Sequence, residues 1–170
     1  MFFFPISDDN DSSSRPLVCY SIIGICCFIF LWQSTLPVNL NQEAIYNFGV
    51  IPAAVLGGQE SFISPYLTIF TSMFMHGGWM HLIGNMVFLW IFGDNIEDSM
   101  GHKKFLIFYL LSGIAAALLQ ASIDPESNIP MIGASGAIAG ILGAYLVLHP
   151  KANVNVLFWL FIFITVIKVP

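Results

Sequence analysis

The sequence predicts an all-α fold, a polytopic transmembrane helix bundle with about five spans, and three observations predict it. Composition is the first. Hydrophobic residues make up 57% of the chain, charged residues 9%, and mean hydropathy is +0.82, against about 25% charged residues in soluble domains. The second is a set of apolar runs of the roughly 20 residues that a helix needs to cross a hydrocarbon core about 30 Å thick. The third is that Lys and Arg gather in alternate connections, as expected of spans that thread back and forth.

Residues 1–15, "MFFFPISDDNDSSSR", read as a polar cytoplasmic tail with a few apolar anchors. They lack the basic start and long apolar core of a secretory signal. Residues 16–170 read as one membrane domain. Its first span covers about 16–35, because no charge falls between Arg15 and Glu43. An outer loop over 37–78 follows, where Pro37, Pro52, Gly57, Gly58 and Pro65 break any long helix. Its apolar character puts it in or on the membrane interface. Further spans cover about 79–98, 105–123 and 131–149, and a fifth occupies 154–170.

Arg15 precedes span one, Lys103 and Lys104 separate spans two and three, and Lys151 separates spans four and five. The connections 37–78 and 124–130 contain acids and no Lys or Arg. The N-terminus is therefore expected in the cytoplasm and the long loop outside. With five basic residues and a net charge of −5, the chain cannot neutralise a phosphate backbone, which excludes nucleic acid as a partner. Cys19, Cys26 and Cys27 all lie in the first span and form no disulfide framework. No internal repeat of the kind built into inverted-repeat transporters is present.

Polar groups inside a bilayer are costly and need a reason. Span two opens "HGGWMHLIGNM", with His81 and Asn85 four residues apart and so on one helix face. Span four opens "MIGASGAIAGILGAYL", with Ser135 between Gly133 and Gly136 and about one turn inside the helix. Both spans begin at the outer face, so the three side chains share one depth. Interhelical hydrogen bonding is one account of His81 and Asn85, and close small-residue packing is one account of Gly136, Gly140 and Gly143. Chemistry is the other. A serine hydroxyl needs a base to become a nucleophile, and amide cleavage needs donors aimed at the developing oxyanion. Asn85, His81 and the Ser135 N–H are suited to that task. No Cys, Asp or Glu lies at this depth to complete a metal site, and no cofactor is required.

The stretches "FTSMFMHGGWMHLIGNMVFLWIFGDNIEDSMG" and "PMIGASGAIAGILGAYL" resemble the rhomboid intramembrane serine proteases, over nearly the whole chain. The matching motifs are His81-xxx-Asn85, Gly133 to Gly136 around Ser135, and Gly93-xxx-Glu97-xxx-Gly101. The tail "FPISDDN" is similar to that of bacterial members. The resemblance implies a Ser–His endopeptidase acting on transmembrane segments of other membrane proteins, with Ser135 as nucleophile. Asn85 and His81 would bind the oxyanion, and His76, Gly133 and Gly136 would support the site. It implies a multi-pass protein of the bacterial inner membrane, its partners being the lipid bilayer and transmembrane protein substrates. Glu97 reads as a hydrogen bond or cap at the cytoplasmic end.

The family's base is a histidine on a sixth span, and residues 1–170 hold no catalytic base. His149 lies about 21 Å along the helix from Ser135. The domain is thus expected to be incomplete at its C-terminus, truncated before the sixth helix, and inactive as it stands. The glycine face of span four is expected to be left uncovered, so that the spans pack poorly. The alternative function is a catalytically inactive rhomboid-like protein that binds or escorts membrane clients.

Overall fold

The computed structural model describes residues 2–10, 14–59, 61–160 and 163–169. Along the chain run β1 (Phe2–Asp8), α1 (Leu17–Thr35), α2 (Val38–Phe48), α3 (Pro52–Gly57), α4 (Pro65–Ser72), α5 (Trp79–Met100), α6 (His102–Ile123), α7 (Ser135–Leu148), β2 (Val154–Leu160) and β3 (Phe163–Val169). The helical bundle expected from the sequence is present, with α1, α5, α6 and α7 standing at four of the five expected spans.

The lengths of the helices follow from local chemistry. α1 is an uninterrupted apolar run bounded by Pro16 and Pro37. In the loop, Pro52 and Pro65 each sit in the first turn of a short helix, where the missing N–H costs nothing. Gly58, at φ 70°, ends α3 in the left-handed conformation. Gly101, at φ 80°, separates α5 from α6. α1 and α6 have the length and apolarity to cross a membrane, yet only 28% and 17% of their apolar windows are buried within the protein. That outward apolar surface, with Phe28, Trp90, Leu119 and Val147 all more than half exposed, suits contact with lipid rather than water.

The core lies among these four helices. Cys19, Ile22, Cys26, Leu89, Ile96, Phe105, Tyr109, Ala137 and Ile141 form its buried centre. The cysteines are free packing residues, as expected. Glu97 is fully buried and accepts hydrogen bonds from the Val18 and Cys19 N–H groups at 2.9 and 2.7 Å. It thereby satisfies donors that the first turn of α1 would otherwise leave open, and it pairs with His102 Nδ1. The cap read from the sequence is therefore present.

Two expectations are corrected here. The glycine face of span four is covered by α6 at Gly136 and Gly140. A Cβ at Gly136 would lie 2.7 Å from the Ala116 methyl, and one at Gly140 would fall on Ser112 Oγ. Both glycines thus let α6 and α7 approach closely, while Gly143 has nothing within 4 Å.

The fifth span over 154–170 is not a helix in its described part. Residues 154–160 and 163–169 are antiparallel strands, and β2 also pairs with β1, giving the order β1-β2-β3. Val154, Val156, Thr165, Val166, Ile167 and Val169 are β-branched, which favours strand over helix, and the N-terminal tail supplies a third strand. The tail expected over 1–15 is accordingly ordered as β1 across Phe2–Asp8.

Candidate active site

The expected site residues meet at the ends of α5 and α7. Ser135 is the first residue of α7, not one turn inside a longer helix. Residues 129–134 are not helical, and Gly133 sits at φ 125°, outside the right-handed helical region. The segment is also claimed by the outer loop. Val50 and Met131 exchange both backbone hydrogen bonds, at 2.9 and 2.8 Å, and the Gly133 N–H donates to the Ser72 carbonyl at 2.8 Å.

This late start has two consequences. The Ser135 N–H is among the first-turn donors that have no intrahelical acceptor, at the positive end of the helix dipole. A helix of 14 residues is about 21 Å long. That is shorter than a hydrocarbon core about 30 Å thick.

Gly133, just before α7, lies against the first turns of α5. A Cβ there would lie 2.6 Å from His81 Nε2, 2.8 Å from His81 Cε1 and 3.6 Å from Asn85 Nδ2. Both side chains thus press on the backbone just before Ser135. Ser135, His81 and Asn85, with Gly84, Phe88, Ile138, Ala139 and Leu142, line one groove of about 360 Å³ between α5 and α7. Ser135 and His81 are exposed in it, whereas Asn85 Nδ2 is buried with no hydrogen-bond partner among the described residues. The Gly77 N–H donates a long bond, 3.5 Å, to His81 Nδ1. An acceptor Nδ1 leaves the proton of a neutral imidazole on Nε2, the atom that faces Gly133.

His76 packs edge-on against His81, ring centres 5.1 Å apart. It is buried, and neither ring nitrogen has a partner among the described residues. Burial, and secondly the neighbouring His81, push its pKa down to about 4. It is therefore neutral near pH 7. Gln33 holds its backbone from α1. The His76 N–H donates to Gln33 Oε1 at 3.2 Å, and Gln33 Nε2 donates to the His76 carbonyl at 3.3 Å.

Sequence reasoning passed over Gln33, although an amide within an apolar span is the signal that could have found it. It also passed over Gln120. That residue lines, with Ser72, Gly113, Ala116, Gly136 and Ser135 itself, a cavity of about 190 Å³ between α6 and α7, large enough for several waters.

The other two histidines lie at the opposite end of the bundle. His102 pairs with Glu97, and His149 contacts Asn10 and Ser99, each at 3.1 Å. No side-chain hydrogen bond to Ser135 is formed among the described residues, and they hold no cluster of three or more His, Cys, Asp or Glu that could take a metal.

A family model described as Rhomboid domain matches residues 64–169. The chain is 32% identical over 140 residues to Rhomboid protein 1, mitochondrial, of Saccharomyces cerevisiae, covering 79% of this chain and 37% of that protein. It is 29% identical over 134 residues to Rhomboid protease GluP of Bacillus subtilis, covering 79% and 25%. It is 28% identical over 152 residues to Presenilin-associated rhomboid-like protein, mitochondrial, of Bos taurus, covering 88% and 37%. The matched part thus spans 25% to 37% of the length of these curated relatives.

Proposed function

The chain belongs to the rhomboid family of integral membrane proteins, and from that premise we propose that it forms the core of a serine endopeptidase that cleaves transmembrane segments of other membrane proteins. One observation carries the reading. Ser135 begins α7 in the same groove as His81 and Asn85, both packed on Gly133.

In the proposed reaction the Ser135 hydroxyl gives its proton to a base as its oxygen attacks the scissile carbonyl. The oxyanion is met by the Ser135 N–H, Asn85 Nδ2 and His81 Nε2–H. Collapse expels the amine, which takes a proton from the base and leaves an acyl-enzyme that water then hydrolyses. The buried, partnerless amide of Asn85 supports its role as a donor held ready, since such a group is costly unless something occupies it. The cavity beside Gln120 and Ser72 offers water a route to the acyl group. Neutral His76 packs against His81 and supports the polar lining.

The base is assigned to a histidine on a further span, as the family resemblance implies. The exposed face of α7 around Ser135 and Ala139 leaves room for such a span. The second reading, a protein that binds or escorts membrane clients without cutting them, draws on the same groove, in which a client segment would lie against Asn85 and Ser135.

The connections that carry Arg15, Lys103, Lys104 and Lys151 lie together at one end. There the Ser14 N–H bonds Asp98, and Asp9 bonds Asn153. Loop 37–78 lies at the other end, tied to Met131 and Ser127. This supports a cytoplasmic, or equivalent, basic side. The expected bacterial inner membrane widens to any membrane with that polarity, because similar proteins are mitochondrial as well as bacterial.

The test is cleavage of a transmembrane reporter in liposomes by this chain joined to a histidine-bearing span. Ser135→Ala should abolish cleavage with little change in thermal stability. Asn85→Ala should slow it by roughly 10²–10³. Undiminished cleavage by Ser135→Ala would refute the mechanism. Client binding with no cleavage by any form would favour the escort.

A further inference from the structure

The tail in front of α1 reaches the buried interior at the basic end. Asp8 Oδ2 accepts hydrogen bonds from the Tyr145 hydroxyl of α7 and, at 2.9 Å, from Asn95 Nδ2 of α5. Asn10 Nδ2 donates to Asn95 Oδ1 at 2.6 Å and lies 3.1 Å from His149 Nδ1, just beyond α7. Asn95 and Tyr145 are both buried, so their polar atoms need partners. The titratable groups that face Asp8 are Tyr145 and His149 from α7 and its end and the neighbouring Asp9, and Asp94 of α5 faces Tyr145.

Asn95 is ten residues beyond Asn85 on α5, and Tyr145 is ten beyond Ser135 on α7. Each interval is about 15 Å of helix. One carboxylate therefore ties together the two site-bearing helices, at matched depth below the groove.

We propose that Asp8 and Asn10 are positioning residues, a wedge that sets the spacing of α5 and α7 and with it the approach of His81 and Asn85 to Ser135. The claim about helix spacing stands on the geometry alone. Its bearing on peptide hydrolysis rests on the proposed function.

The test uses the 170-residue chain in liposomes, with Cys19, Cys26 and Cys27 replaced by Ala and with Gly84→Cys and Ala139→Cys across the groove. A Cβ at Gly84 meets nothing within 4 Å, so the cysteine fits. The rate of joining by a short bifunctional thiol reagent reports the spacing. Asp8→Ala should slow it several-fold, and Tyr145→Phe should do the same while keeping its ring edge-on to Phe92. The double variant should be no slower than either single one, as expected of two groups acting through one bond. Asp8→Asn, which keeps an acceptor, should restore most of the rate. Asp9→Ala, whose carboxylate bonds Asn153 rather than α5 or α7, should leave the rate near that of the parent.

An unchanged rate in Asp8→Ala, or equal slowing by Asp9→Ala, would overturn the proposal. When the chain is joined to a histidine-bearing span, Asp8→Ala should lower kcat several-fold with KM nearly unchanged. Failure of the parent to cleave would count against the protease reading, while the cross-linking still decides the wedge.

Discussion

Replacing Gly133 with alanine should damage the candidate site more than the fold, and the structure sets both magnitudes. At φ 125° a residue with a side chain costs about 1–3 kcal/mol of backbone strain. The added methyl would also lie 2.6 Å from His81 Nε2, a distance that real contacts do not tolerate. His81 is exposed to the groove and can swing aside, so overlap is relieved by moving the proposed oxyanion donor. Loss of one such donor slows acyl transfer by roughly 10²–10³. The expected result is therefore a loss of about 1–3 kcal/mol in stability with a far larger relative loss of cleavage.

Stability is to be read in mixed micelles, and cleavage in liposomes with the base-bearing form. Adding His81→Ala to Gly133→Ala should recover the part of the stability lost to overlap and none of the rate. Wild-type cleavage by Gly133→Ala would refute the contact as the determinant of His81 placement. Full recovery of rate in the double variant would remove His81 from the mechanism.

Gly140→Ala should weaken α6–α7 packing, since its Cβ falls on Ser112, whereas Gly143→Ala meets nothing. Gly143→Ala should be neutral or gain up to about 1 kcal/mol from helix propensity. Equal melting temperatures for the two variants would contradict the packing argument. In a cysteine-free background, Ser127→Cys should react with an impermeant thiol reagent from outside, and Lys103→Cys only after permeabilisation. The reverse pattern would invert the proposed orientation. His76 has a folded pKa of about 4, below its ordinary 6.5. The fold thus binds fewer protons than the unfolded chain between those values. Stability should be full above pH 6.5 and fall as pH drops toward 4, by at most about 3 kcal/mol. His76→Phe should lose this dependence, and an unchanged pH profile would assign it elsewhere.

Much of this protein is legible in the chain. α1, α5 and α6 follow from long apolar runs and from breaks at proline and glycine, because helix existence depends on contiguous residues. His81 and Asn85 share a face for the same local reason, and a carboxylate at position 97 reads as a cap. Other features rest on partners far away in sequence. α7 starts at Ser135 because Met131 pairs with Val50 and Gly133 with Ser72, which no local pattern announces. Gly136 and Gly140 face Ala116 and Ser112, while Gly143, three residues further on, faces nothing within 4 Å. Residues 154–160 and 163–169 belong to a run long and apolar enough for a helix, yet they are strands, β2 pairing with the tail and β3 with β2. Asp8 reads as a solvated tail charge until Tyr145 and Asn95 are found around it. The sequence determined that α1, α5 and α6 are helical and which side chains were candidates for chemistry. Only the tertiary structure decided where Ser135 stands in its helix and what touches it, because hydrogen bonds and close packing are made between segments, not within them.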